Sequence, residues 1–192
     1  MSYSSQKKEE AKRGADALFK IIIFGDGGVG KTTLVRRYLE GYFEETTKMT
    51  VGMDFFVKHV EVEGKQVTLQ IWDFGGEERF RFLLPSYVSG ASGGIFMYDI
   101  TRLMSLNHID DWLEIFSSEY SKKYSEETLP VIMVGGKKDL AYKRSVKKEE
   151  AKQVKEEQNC YKHMECSSKT GENVEDVFKE LTRELLRRID ML

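Results

Sequence analysis

Residues 25–32 read Gly-Asp-Gly-Gly-Val-Gly-Lys-Thr. The glycines let backbone N–H groups curl inward around an anion. Lys31 can then reach the β- and γ-phosphates of a nucleoside triphosphate, and the Thr32 hydroxyl can sit on Mg²⁺. The flanks supply the setting this chemistry needs. Leu18-Phe-Lys-Ile-Ile-Ile-Phe24 is apolar and largely β-branched, and Leu34-Val-Arg-Arg-Tyr-Leu-Glu40 has helical spacing. A strand enters the glycine turn and a helix leaves it through Thr33, so the positive end of the helix dipole meets the anion. An ordinary glycine-rich strand-to-helix turn is the plainer reading. The loop on its own specifies a triphosphate, and neither a base nor a reaction.

Four further stretches could complete such a site. In Ile71-Trp-Asp-Phe-Gly-Gly76, Asp73 ends a β-rich run, where a carboxylate can hold Mg²⁺ through water. Gly76 can offer its N–H to a γ-phosphate, which ties local conformation to the third phosphate. Thr50 opens the first strand of the same hairpin and could join Thr32 on the metal. Residues 43–49 before it are polar and unpatterned, as suits a loop that orders with its ligand. In Lys137-Lys-Asp139, which follows Val131-Ile-Met-Val134, a carboxylate at Asp139 can accept from guanine N1–H and the 2-amino group together. Adenine offers neither donor, so such a site rejects ATP. In Cys166-Ser-Ser-Lys169 the backbone N–H groups of Ser167, Ser168 and Lys169 could meet the guanine 6-oxo group. Taken singly these are a capped strand end, one loop threonine beside Thr46 and Thr47, a surface Lys/Asp cluster and a polar turn.

The elements that must position these residues alternate along the chain. Residues 55–63 and 66–72 are β-rich and separated by Gly64-Lys65, a hairpin signal. Residues 93–99 and 129–134 are buried-type strands, and 161–166 is a short one. Residues 107–120 carry Ile109, Trp112, Leu113, Ile115 and Phe116 at helical spacing, and 146–157 is a charged helix. Residues 173–189 put Val174, Val177, Phe178, Leu181, Leu185 and Ile189 on one helical side. The order βα, ββ, then repeated βα predicts an α/β domain. Its sheet is mainly parallel and six-stranded, with one antiparallel strand and helices on both faces. Ligands of such sheets bind at the carboxyl ends of the strands, where each motif falls.

Composition narrows the class. A chain of 192 residues suits one domain, and 40% hydrophobic with 32% charged residues is ordinary for a globular protein. A net charge of −2 gives no nucleic-acid footprint. Cys160 and Cys166 lack metal-type spacing and no secretory signal precedes them, which points to reduced thiols and a cytoplasmic protein. Residues 1–17 read as a mobile polar tail. The last residues, Arg187-Arg-Ile-Asp-Met-Leu192, offer no cysteine for prenylation and so no direct lipid anchor.

With these motifs in this order, the chain resembles the Ras superfamily of small GTPases, and within it the Rab-like branch. The resemblance also rests on Val51-Gly-Met-Asp-Phe55, Leu69-Gln-Ile-Trp72, Glu78-Arg-Phe80, Tyr98-Asp-Ile-Thr101 and Lys169-Thr-Gly-Glu-Asn173. It implies a P-loop NTPase G domain over residues 18–189, followed by a short tail at 190–192. The backbone of Asp26, Gly27, Gly28, Val29, Gly30 and Lys31 would cradle the phosphates of GTP or GDP. Thr32 and Thr50 would ligate Mg²⁺, with Asp73 behind a water. Phe43 and Lys137 would pack on the base, Asp139 would read it, and Ser168 would touch it through its backbone. Residues 43–55 and 75–90 would be two switches, and Phe55, Trp72 and Tyr87 an aromatic triad shown to effector proteins. Exchange and GTPase-activating factors would be further partners.

Departures from the family pattern are as informative. Glu77 stands where most members carry the glutamine that orients the attacking water, so the catalytic set would be Lys31, Gly76 and a carboxylate. Gly136 replaces the asparagine of the base-reading motif, which should weaken nucleotide retention. Gly75-Gly76 should loosen the second switch. Two functions follow. One is a GTP-hydrolysing switch, and the other a guanine-nucleotide-binding scaffold poor in hydrolysis. A nucleoside or small-molecule kinase would need a lid and an acceptor site, for which the chain has no spare length.

Overall fold

The computed structural model describes residues 14–45, 49–76, 84–121 and 129–192. Six strands form one sheet: β1 (Ala17–Phe24), β2 (Met53–Val62), β3 (Lys65–Phe74), β4 (Gly93–Asp99), β5 (Val131–Gly136) and β6 (Lys162–Glu165). Their order is β2-β3-β1-β4-β5-β6. Every neighbouring pair is parallel except β2 with β3, which is antiparallel. The helices are α1 (Lys31–Glu40), α2 (Leu84–Val88), α3 (Met104–Asn107), α4 (Ile109–Ser121), α5 (Lys148–Glu157) and α6 (Val174–Arg188). A 3₁₀ segment spans Lys138–Lys143. The expected α/β architecture is observed, with helices on both faces.

The two faces follow from the period-two alternation of the central strand. Ile21 and Ile23 of β1 join a core with Leu34, Val35 and Tyr38 of α1 and Val177, Phe178 and Leu181 of α6. Ile22 and Phe24 point the other way, into a core with Leu84 and Val88 of α2 and Trp112 and Phe116 of α4. Aromatic stacking closes each side: Tyr38 on Phe178 at 3.9 Å and Phe24 on Phe116 at 4.0 Å between ring centroids. Because the second half of β1 is buried on both faces, Ile21-Ile-Ile-Phe24 is a continuous apolar run instead of an alternating one. Among the described residues no helix is long and apolar enough to cross a membrane.

Two expectations change. The hairpin turn is Glu63-Gly64, both at positive φ, and not Gly64-Lys65; Val62 pairs with Lys65. A two-residue turn with φ > 0 at both positions matches the twist of the flanking strands. Ile189 lies just past the end of α6 and is 49% exposed, so it leaves the apolar stripe predicted for it. At the other end of the hairpin Met53 pairs with Phe74, and Gly75 N–H donates to Gly52 O at 2.8 Å. Residues 50 and 76 are thereby brought to one strand end.

Candidate functional site

The loop between β1 and α1 takes a shape that its glycines permit. Gly25, Gly28 and Gly30 have φ of 131°, 73° and 107°. A Cβ on Gly25 would lie 2.1 Å from Met97 O. Gly27 is less constrained, since a Cβ there would make ordinary contacts at 3.6 Å with Met49 Cε and 3.7 Å with Gly76 O. Helix α1 starts at Lys31 with no acidic residue in its first turn, so its N-terminal dipole is uncompensated.

Beside this loop opens a cavity of about 380 Å³. It is lined by Gly27, Gly28, Val29, Gly30, Lys31, Thr32 and Thr33 from the loop and α1, and by Phe43 and Thr50. Gly76, Lys137, Asp139, Ser168 and Lys169 of the expected set line it as well. Glu44, Glu45, Met49, Phe74, Met97 and Leu140 line it too, and sequence reasoning did not find them. Three expected residues, Asp26, Asp73 and Ser167, stand behind the wall. The Asp26 side chain turns away, its Oδ2 2.7 Å from His108 Nδ1 and its Oδ1 accepting from Trp112 Nε1 at 3.2 Å. The buried Ser167 donates its hydroxyl to Asp139 Oδ1 at 2.6 Å and so orients that carboxylate. Glu77 lies outside the described residues.

Lys31 is buried, and its Nζ donates to Gly25 O and Asp26 O, both at 2.8 Å. Burial pushes its pKa down to about 8, although Asp73 and Asp26 nearby favour the charge. Thr32, Thr50 and Asp73 converge. The Thr32 hydroxyl donates to Asp73 Oδ2 at 2.5 Å, and Thr32 Oγ1 is 2.6 Å from Thr50 Oγ1. Asp73 is fully buried, and its Oδ1 has no hydrogen-bond partner. Burial raises its pKa to about 6, against the pull of Thr32 and Lys31. An orphaned buried carboxylate oxygen beside two hydroxyls is a set of hard oxygen donors, and it fits Mg²⁺. Among the described residues no group of three or more His, Cys, Asp or Glu could hold a metal ion.

Gly76 seals this end of the cavity. A Cβ there would lie 2.2 Å from the Asp26 carbonyl carbon and 2.3 Å from Gly27 N, so only glycine permits the approach. At the other end Lys137 Nζ pairs with Asp99 Oδ2 at 2.6 Å, and Asp99 Oδ1 accepts from Thr101 N at 2.8 Å and Thr101 Oγ1 at 2.7 Å. Burial opposes the Asp99 charge, but the bonds to Lys137 and Thr101 outweigh it and hold the carboxyl below its ordinary pKa. Gly136 has its own cause: a Cβ would come within 2.4 Å of Met97 Cε and 3.1 Å of Val29 O. The Met97 thioether fills the space a side chain at 136 would enter. The aromatic triad is assembled, with Phe55 and Trp72 centroids 4.9 Å apart and Trp72 and Tyr87 5.5 Å apart. Phe55 is 46% exposed.

Comparison with known proteins agrees with this geometry. The Ras family model matches residues 20–187. Ras-related protein Rab-19 of Xenopus laevis is 39% identical over 173 residues, which is 90% of this chain and 79% of that protein. Members of this family bind GTP or GDP with Mg²⁺ and are GTPases. A strand–glycine loop–helix cradle, a hydroxyl–carboxylate cluster beside it and a match along nearly the whole sheet lead to one conclusion: the chain belongs to the Ras superfamily of small GTPases, in its Rab-like branch.

Proposed function

We propose that this protein binds GTP and GDP with Mg²⁺, hydrolyses GTP slowly to GDP and phosphate, and acts in membrane trafficking as a switch read by effector proteins. The observation that carries the reading is the Thr32–Thr50–Asp73 cluster with the unpartnered Asp73 Oδ1. It joins a residue of the loop, one of the first switch and one in the strand that leads into the second. Mg²⁺, held by these three, would supply positive charge across the β- and γ-phosphates.

The chain's own groups do the rest. Lys31 exchanges the Gly25 and Asp26 carbonyls for phosphate oxygens and places a preorganised positive charge beside them. The loop N–H groups grip the phosphates. The Gly76 N–H bonds a γ-phosphate oxygen and holds the chain end from which Glu77 would orient the attacking water. Asp139, aimed by Ser167, selects guanine. Turnover without an activator is on the order of 10⁻⁴ to 10⁻³ s⁻¹, the range typical of such sites when no arginine finger is supplied. Effectors would read the ordered switches together with the Phe55–Trp72–Tyr87 surface.

Single-turnover phosphate release tests the reading. GTP-loaded protein with Mg²⁺ should release phosphate at least about tenfold faster than Lys31→Ala, since a buried cation at the transferring phosphate contributes more than one decade. Equal rates would defeat hydrolysis. One observation favours a second reading, that of a poorly retaining scaffold. Met97 stands where an asparagine side chain at 136 would otherwise join the two loops. A protein that binds GTP, releases no phosphate and loses nucleotide within minutes would be that scaffold.

A further inference from the structure

The loop residues Asp26 and Gly27 are held from outside by one short segment that no motif marks. Past β4 the chain turns, with Arg102 N–H donating to Asp99 O at 2.9 Å and the Ser105 hydroxyl donating to Arg102 O at 2.6 Å. Ser105 is fully buried, so the backbone of Arg102 is fixed. From there Arg102 Nη2 donates to Gly27 O at 2.8 Å. A little further on, His108 and Trp112 hold the Asp26 carboxylate. Asp26 is thus anchored through its side chain, while Gly27 and Gly28 have no side chain to anchor.

The peptide joining Gly27 to Gly28 lies between two residues with wide conformational freedom, and Gly28 has φ of 73°. In a trans peptide the C=O and the following N–H point in opposite directions. A donor that draws the Gly27 carbonyl outward therefore aims the Gly28 N–H inward, and Gly28 lines the cavity. The guanidinium also carries permanent charge and five donors in a rigid fork, so one N–H can hold the loop while the charge stays at its rim. That charge already reaches the cavity, where it acts against the Lys31 ammonium.

We propose that Arg102 is a positioning residue for the triphosphate: it pins the Gly27–Gly28 peptide with its N–H toward the phosphates and adds positive charge at the Gly76 end of the cavity. The inference rests on the nucleotide reading of the cavity, but not on hydrolysis. A third phosphate brings more negative charge to that end, so Arg102 favours GTP over GDP.

The test uses the full chain as Arg102→Met, which keeps the aliphatic stem, and Arg102→Lys, which keeps a charge and a donor. Binding of a non-hydrolysable GTP analogue and of GDP is measured with Mg²⁺ at low and high salt, alongside thermal unfolding without nucleotide. Arg102→Met should lose about tenfold in affinity for the GTP analogue and about threefold or less for GDP, without a lower unfolding temperature. The gap should narrow at high salt, and Arg102→Lys should recover most of it. Unchanged binding in Arg102→Met, or an equal loss for both nucleotides, would overturn the proposal. Wild type that binds the analogue yet releases no phosphate counts against hydrolysis alone, and the Arg102 comparison stays readable. Wild type that binds neither nucleotide overturns both.

Discussion

At Asp139 one carboxylate oxygen is already engaged by the buried Ser167, whose Oγ in turn accepts from Thr170 N at 3.1 Å. The side chain is therefore aimed before any base arrives, and aiming is what makes a polar contact selective. A ligand lacking the two donors of guanine leaves the carboxylate desolvated and unpaired, which costs more than the bond itself is worth. Wild type should prefer GTP over ATP by at least about a hundredfold, and Asp139→Ala should bring the two within about tenfold. Competition of each nucleotide against a fluorescent GDP analogue measures this. Equal affinity in wild type would remove the role given to Asp139. Ser167 has a second role, through its hydroxyl, that the sequence did not announce. Its place in a polar turn suggests backbone contact with the base, and its hydroxyl faces a residue 28 positions away.

Between β4 and β5 the decisive pair is Met97 and Gly136. The strands run parallel with Met97 beside Val134 and Asp99 beside Gly136. This register carries the Met97 side chain across to the end of β5. Gly136→Asn alone should therefore push the flexible Met97 end aside and crowd Val29 O, destabilising the protein by about 1 kcal/mol. Gly136→Asn with Met97→Val should recover most of that and slow GDP release about fivefold, the equivalent of one regained net hydrogen bond. Denaturant midpoints and nucleotide dissociation rates measure the cycle; simple additivity would show that the two positions are not coupled. Legibility divides along the same line. The phosphate loop, the α/β alternation and the long amphipathic helix are local patterns, and local patterns survive in a sequence. The departure at Gly136 was visible, but its cause in Met97 was not, because parallel neighbours are separated by a crossover. Arg102 reaches across 75 positions to Gly27, and His108 across 82 to Asp26, with no short spacing to announce either. The hairpin turn was missed by one residue because both candidate pairs contain Gly64.

On the scale of the whole molecule, the buried Asp73 and the half-buried Glu165 pull the pH dependence in opposite directions. Asp73 has its pKa raised from 3.8 to about 6, so the folded state holds a proton that the unfolded chain would release. Stability from this group is present below its unfolded pKa and is lost as pH rises through about 6. Glu165 is the reverse. Burial raises its pKa, but bidentate bonds from Arg144 at 2.6 and 2.9 Å outweigh that and hold it below 4.5. Its contribution is present above 4.5 and is lost as pH falls through the folded value. Nucleotide-free protein should therefore melt highest at about pH 4, below the Asp73 loss and above most of the Glu165 loss. Asp73→Asn should remove the slope between about pH 4 and 6, Glu165→Gln the fall at more acidic pH, and Mg²⁺ with GDP should flatten the former. Thermal melts from pH 3.5 to 7.5 measure this; a melting temperature that keeps rising to pH 7 in the free protein would contradict the Asp73 assignment. The β2–β3 ribbon has one last consequence. Its turn at Glu63-Gly64 is remote from the cavity, and its open end leads to Thr50 just before one strand and to Gly76 just after the other. Segments tethered to the same ribbon tip share a single ordering entropy, so fixing either lowers the cost of fixing its neighbour. A partner that grips only the Thr50 side would then slow nucleotide escape past Gly76 without touching it, and by reciprocity a bound triphosphate would strengthen that partner's grip.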